Sequence, residues 1–261
     1  MAIATKLKAF RAMRRMDNGW QLILNRLFFS SETVQICRYK GLEFITDLSG
    51  GDANGARELL TSDEYRKFLG SMELSGALRV LDMGANNGGF PLLLASEGYR
   101  FEKLVCVEMN PQTATRLAYN LRRNFPGSGE TVNAAVCGYE REISLTPSKG
   151  GTSENIYSGT EGPESITIRG RTADSIIEEA FGDSPIDLCK MDVEGAEFEI
   201  FKSDAFERVR QCRYFLIEIH HFPETPRFEV IERIEGAGFR RIEPVPPDDD
   251  GHHVHLFGRV E

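Results

Sequence analysis

The chain has 261 residues, 41% of them apolar and 27% charged, and a formal net charge of −9. That length buries a full core, as one large or two small domains, and the acidic balance argues against nucleic acid as the main partner. Five scattered cysteines with no Cys-x-x-Cys pair, no apolar run near the roughly 20 residues of a membrane span and no signal-peptide stretch give the expectation of a cytoplasmic protein without a transmembrane segment.

Residues 1–16 carry Lys6, Lys8, Arg11, Arg14 and Arg15 and no acid, with Leu7, Phe10, Met13 and Met16 recurring every three residues. This is an amphipathic helix pattern. Packing on its own domain or on a partner subunit is favoured over a membrane-surface role, so a homo-oligomer through this helix is an expectation. Residues 34–46 read as a hairpin turning at Lys40-Gly41, and Gly50-Gly51-Asp52 as a loop. Thr61-x-x-Glu64 is a capping box for a helix through Tyr65 and Phe68. Residues 1–70 form a cap, and residues 71–261 the main domain.

From Arg79 onward the pattern alternates. Strands are expected near 79–83, 103–108, 131–136, 186–192 and 213–219, and helices near 87–97, 111–123, 172–181, 195–208 and 224–237. Such alternation gives an α/β fold with a parallel sheet and crossover helices. Phe239–Val245 and His252–Val260, joined by a Pro- and Asp-rich turn, read as an antiparallel hairpin. His252, His253 and His255 fit that hairpin better than a metal site. Residues 137–165, rich in Gly, Ser and Thr, read as a long lid or binding loop.

The first strand ends in Val80-Leu81-Asp82-Met83-Gly84-Ala85-Asn86-Asn87-Gly88, and the second ends in Glu108. Ligands of doubly wound sheets sit at such carboxyl ends. Glu108 stands where an acid accepts ribose hydroxyls. A dinucleotide fingerprint requires Gly-x-Gly-x-x-Gly, but Asn86 replaces its second glycine. Asp82 would repel a pyrophosphate and suits the positively charged methionine end of S-adenosylmethionine. The alternative is a strand-ending turn with no ligand.

A second polar cluster ends the fourth and fifth strands: Lys190, Asp192 and Glu194, then Glu218, His220 and His221. Methyl transfer to a hydroxyl needs an aligned acceptor and a base. His220 or His221 fits that role by pKa and Asp192 by position. Asp192, Glu218 and His220 are also candidate ligands for a divalent metal, a reading ranked below base catalysis. A plainer reading makes Glu194 or Glu197 a charge at a helix N-terminus, and Lys190 a salt-bridge partner.

Residues 80–88 resemble the Asp-x-Gly-Ala-Asn-x-Gly motif of the FkbM-type methyltransferases, and Lys190-Met191-Asp192-Val193-Glu194-Gly195-Ala196-Glu197 resembles their Lys-Ile-Asp-Val-Glu-Gly-x-Glu motif. Glu218-Ile219-His220 is similar to their fifth-strand ending. The resemblance spans about residues 65–260. It implies a class I methyltransferase (Rossmann-like) fold with S-adenosylmethionine as cofactor. It also implies O-methylation of a small-molecule hydroxyl on a sugar, glycoside or polyketide-type product. Asp82, Gly84, Ala85, Asn86, Gly88, Glu108 and Asn110 would form the cofactor site, with Tyr65 as the counterpart of an upstream family tyrosine. Asp52 and Arg57, in the cap, are further candidate contacts. The chain departs from the family pattern at Gly89-Phe90-Pro91. Alternatives kept open are an N-methyltransferase, a nicotinamide oxidoreductase and a non-catalytic cofactor-binding partner protein.

Overall fold

The computed structural model describes residues 10–29, 31, 33–50, 52, 55–145, 165–220, 227–242 and 254–260. Residues 10–14 are helical. Met13 and Met16 are buried in the protein's own core while Phe10 is exposed, so the methionine face of this amphipathic segment packs inward. Helix α1 (Gly19–Phe28) follows, then the hairpin β1 (Val34–Tyr39) and β2 (Leu42–Asp47), turning at Lys40-Gly41 as expected.

Two features of the cap differ from the sequence expectation. Residues 55–61, for which the sequence carries no helix expectation, form helix α2 (Gly55–Thr61). Thr61 ends this helix instead of capping the next: its hydroxyl donates to the carbonyls of Arg57 and Glu58 at 3.0 and 3.2 Å. Helix α3 (Arg66–Leu69) is a single turn. A threonine hydroxyl bonds a carbonyl one turn back as readily as it caps, and the local motif does not distinguish the two.

The main sheet is built from β3 (Ala77–Met83), β4 (Arg100–Glu108) and β5 (Gly129–Asn133), with helices α4 (Gly89–Ser96) and α5 (Pro111–Asn124) as crossovers. At Ala134 the chain leaves this sheet. It forms a second, three-stranded sheet from β6 (Ala135–Val136), β7 (Arg141–Leu145) and β8 (Ile166–Arg171). The expected third strand is therefore two strands in two sheets. The expected lid contributes β7, and its residues 146–164 lie outside the described residues. The chain returns through α6 (Ala173–Phe181), β9 (Ile186–Met191), α7 (Glu197–Lys202), a 3-10 turn (Glu207–Gln211) and β10 (Cys212–Glu218). The helix expected over 195–208 is thus a short helix and a separate turn. Helix α8 (Arg227–Gly236) leads to β11 (Phe239–Arg241) and β12 (Val254–Arg259).

The seven strands run β11-β12-β10-β9-β3-β4-β5, parallel from β10 to β5, with β12 antiparallel to both β10 and β11. This is the class I methyltransferase arrangement. Both faces are covered, as a parallel sheet requires. Successive residues go to opposite cores: Val80, Leu104, Leu188 and Leu216 to the layer of cap, α4 and α5; Leu81, Val105, Cys189 and Phe215 to the layer of α6, α7 and α8. The order reverses between β3 and β9, which places a crevice at the carboxyl ends of these strands.

Candidate active site

A cleft of about 290 Å³ opens at that reversal. Its floor is the turn after β3. Gly84 has φ +80, and a Cβ there would lie 1.7 Å from the Asp192 carbonyl oxygen, so the β3 and β9 turns touch through bare backbone. The Gly84 and Ala85 amides donate to the Val107 carbonyl at 3.0 and 2.9 Å. The departure at Gly89-Phe90-Pro91 leaves α4 helical from its first turn. A Cβ on Gly89 would lie 3.0 Å from the Cα of Ala56, so this glycine permits close packing of α4 on α2.

Glu108, ending β4, ties two loops together. It accepts from the Asn86 amide at 2.9 Å and from the Asn110 amide at 2.8 Å. The Asn110 side chain accepts from the Gln112 and Thr113 amides and so caps α5, with Pro111 in its first turn. Gly84, Ala85, Asn86, Glu108, Asn110 and Tyr65 all line the cleft.

Asp82 and Gly88 do not line it. Asp82 is fully buried below the floor, and its nearest cation is Lys190, with Nζ 3.5 Å from Oδ1. Burial pushes the Asp82 carboxyl up to about 6, against the opposing pull of Lys190. The expected contact of Asp82 with a positive ligand is thus taken by a lysine of the chain itself. Gly88 precedes α4 with φ +91. Asp52 is also fully buried and is held by Arg116 through Nε at 2.8 Å and Nη2 at 2.7 Å. Arg57 is buried beside Cys37 and Arg26. Neither Asp52 nor Arg57 lines the cleft.

The opposite wall gathers the second polar cluster. Lys190 Nζ donates to the Gly84 carbonyl at 3.0 Å and to Asp192 Oδ2 at 3.2 Å. Burial works against its charge, but Asp192, Asp82 and Glu218 outweigh that and raise its pKa. Tyr65 donates to Glu218 Oε2 at 2.9 Å. Burial and then the Asp192 charge push the Glu218 carboxyl up to about 7, while the Tyr65 bond pulls it down. Glu194 lines the cleft from a left-handed conformation, φ +52. His220 stands behind, with Nε2 3.2 Å from Glu194 and Nδ1 3.1 Å from the buried Glu197. Burial opposes its charge, yet these two bonds raise it to about 11. His220 is therefore an imidazolium at neutral pH and has no free site for a proton. His221, His252 and His253 lie outside the described residues. His255 is buried on β12.

The profile of the methyltransferase FkbM domain matches residues 82–241. The chain belongs to the FkbM methyltransferase family. Among solved structures it is similar to the FkbM methyltransferase of Methylobacillus flagellatus KT, with 20% identity and a TM-score of 0.50 over 72% of this chain and 45% of that one. It thus spans less than half the length of that relative. A precorrin-6y C5,15-methyltransferase of Geobacter metallireducens gives 15% identity and a TM-score of 0.45 over 78% of this chain and 90% of that one. TrmK of M. capricolum, solved with S-adenosylhomocysteine, gives 11% and 0.44 over 76% and 68%. At 20% identity the likeness to the FkbM structure concerns the fold. No curated protein sequence matches the chain.

S-adenosylmethionine is the cofactor of this FkbM domain, and the cleft fits it. Bare backbone at Gly84 leaves room for close approach, and the Glu108 carboxylate lines the same cleft at the end of β4. In the same FkbM domain, Asp192 Oδ1, Glu218 Oε1 and His220 Nε2 lie near one another, with ligand atoms within 4.8 Å. A histidine ligand is neutral, so an ion here would have to displace the proton that Glu194 and Glu197 favour on this ring. Several lining residues have no motif. Ala134, Ala135 and Val136 follow β5, so the rule of carboxyl strand ends points to them. Glu58, Leu59 and Glu64 come from the cap, where no local signal exists.

Proposed function

We propose that this chain is an S-adenosylmethionine-dependent O-methyltransferase. The acceptor is a hydroxyl of a sugar, glycoside or polyketide-type small molecule, and Glu218 is the proton acceptor. Glu218 carries the reading: it lines the cleft at the end of β10, is oriented by Tyr65, and titrates near 7. A base with a pKa near the working pH is the most effective. The bound donor supplies an electrophilic methyl group on a positively charged sulfur. The chain's own groups hold and deprotonate the acceptor. Lys190 fixes Asp192 and the Gly84 carbonyl, Tyr65 aims Glu218, and the imidazolium of His220 anchors Glu194.

The lining supports a neutral, hydroxyl-bearing acceptor. Among the described residues, Glu58, Glu64, Glu108, Asp192, Glu194 and Glu218 line the wall with Lys190 as the sole basic residue. Carboxylates accept well from hydroxyls and repel the phosphates of a nucleic acid. The place of such a reaction is the tailoring of natural products in the cytoplasm.

The test is methyl-labelled donor with a panel of hydroxylated glycosides and macrolide-type alcohols. The label is expected on oxygen. Glu218→Gln should keep S-adenosylhomocysteine affinity and lower kcat by about 10²–10⁴. Label on nitrogen would establish the N-methyl alternative. A wild-type rate in Glu218→Gln would remove Glu218 as the base.

A further inference from the structure

Helix α1 carries two apolar faces. Leu22 and Ile23 are buried in the core beneath the cap. Trp20, Leu24, Leu27 and Phe28 are exposed by 71%, 51%, 68% and 74%. At about 100° per residue these four share one arc roughly 100° wide, separate from the arc of the buried pair. The outward face of β1 adds Val34 and Ile36, also exposed. Asn18 joins the two elements, donating to the Ile36 carbonyl at 2.9 Å and accepting from the Arg38 amide at 3.0 Å. Large exposed apolar residues grouped this way mark an interaction surface.

Charge identifies what covers it. Residues 1–42 hold eight Lys and Arg against Asp17 and Glu32, a net of +6 in a chain of −9, so the remaining residues carry −15. Arg11 and Arg14 are exposed, and Arg38, on the outward face of β1, is exposed but paired with Glu43 at 2.9 Å. We propose that this face docks on an anionic lipid bilayer. Trp20, Leu24, Leu27 and Phe28 sit at the headgroup–acyl boundary, and the basic residues meet the headgroups. A second copy fits less well. A two-fold interface sets the same patch against itself and would bring two basic segments together. A bilayer rich in anionic lipid supplies the opposite charge, and tryptophan is favoured at its interface.

Trp20 is the chain's only tryptophan, so its emission reports the face directly. The full chain is mixed with phosphatidylserine–phosphatidylcholine vesicles and, separately, with pure phosphatidylcholine vesicles. The expected result is a blue shift and co-sedimentation with the anionic vesicles, stronger by roughly tenfold or more than with neutral ones and weakened by salt. Leu24→Ser with Leu27→Ser, both at exposed positions, should abolish co-sedimentation while circular dichroism and S-adenosylhomocysteine binding stay unchanged. An unshifted emission with the protein left in the supernatant would overturn the proposal. So would a blue shift that follows protein concentration without lipid, together with a dimer mass in sedimentation velocity, which would assign the face to a second copy.

Discussion

Tyr65 and Glu218 lie 153 positions apart and meet at 2.9 Å. The phenol donates to the carboxylate form of Glu218, so it lowers that pKa while burial and Asp192 raise it. Tyr65→Phe removes the lowering contribution alone. Carboxyl-carbon NMR should show the Glu218 midpoint, near 7 in the wild type, move to higher pH in the variant. A midpoint that moves down or stays would show that the bond does not stabilise the charged form. His220 gives a stability prediction of opposite sense. Its folded pKa of about 11 lies above the ordinary 6.5. The ion pairs with Glu194 and Glu197 therefore contribute fully below about 6.5, and their contribution is lost as pH rises toward 11. The Tm gap between wild type and His220→Gln should be widest near about pH 6 and narrow by about pH 10. A gap constant with pH would mean that the ring is not held protonated.

At the scale of elements, α5 completes the edge of β2 with side chains. Asn120 accepts from the Ile45 amide at 2.8 Å and donates to the carbonyls of Ile45 and Asn87 at 3.1 and 2.8 Å. One turn later Asn124 repeats the pattern on Glu43, accepting from its amide at 3.0 Å and donating to its carbonyl at 2.8 Å. Asn120→Ala would leave these buried groups without partners, at a cost of about 1–3 kcal/mol. Hydrogen exchange should then accelerate at the Ile45 amide and leave Phe257, in the central β12, protected. Equal protection at Ile45 in both proteins would count against the clasp. This explains what a single chain shows of its elements. The α5 pattern is legible because its apolar spacing and Asn110-Pro111 start are local. The clasp is invisible because Asn120 and Asn124 look like ordinary polar helix residues until β2 is placed beside them. Helix α2 was hidden for the same reason: Ala56 and Leu60 are buried only once α4 packs against them.

At the scale of the whole molecule, Gly84, Asn86 and Glu108 were legible as cleft residues because they fall at the ends of consecutive strands. Glu58, Leu59 and Glu64 were not, since they belong to the cap and reach the cleft only through tertiary packing. The same packing bears on a division into a cap of residues 1–70 and a domain of 71–261. Phe44, Leu60, Tyr65 and Phe68, all buried, form one continuous core with Leu78, Val80, Phe90 and Leu92. Cutting at residue 70 would expose that face of the sheet, and each large apolar side chain left uncovered forfeits about 1.5–3 kcal/mol. A few such losses equal the whole stability of a typical domain, about 5–15 kcal/mol. We expect the fragment 71–261 to be insoluble or to melt without a cooperative transition. The full chain should unfold in a single step whose midpoint rises with S-adenosylhomocysteine, because the ligand's cleft is built from both parts. A soluble monomeric fragment with its own sharp transition would instead establish the boundary at residue 70 as a true domain border.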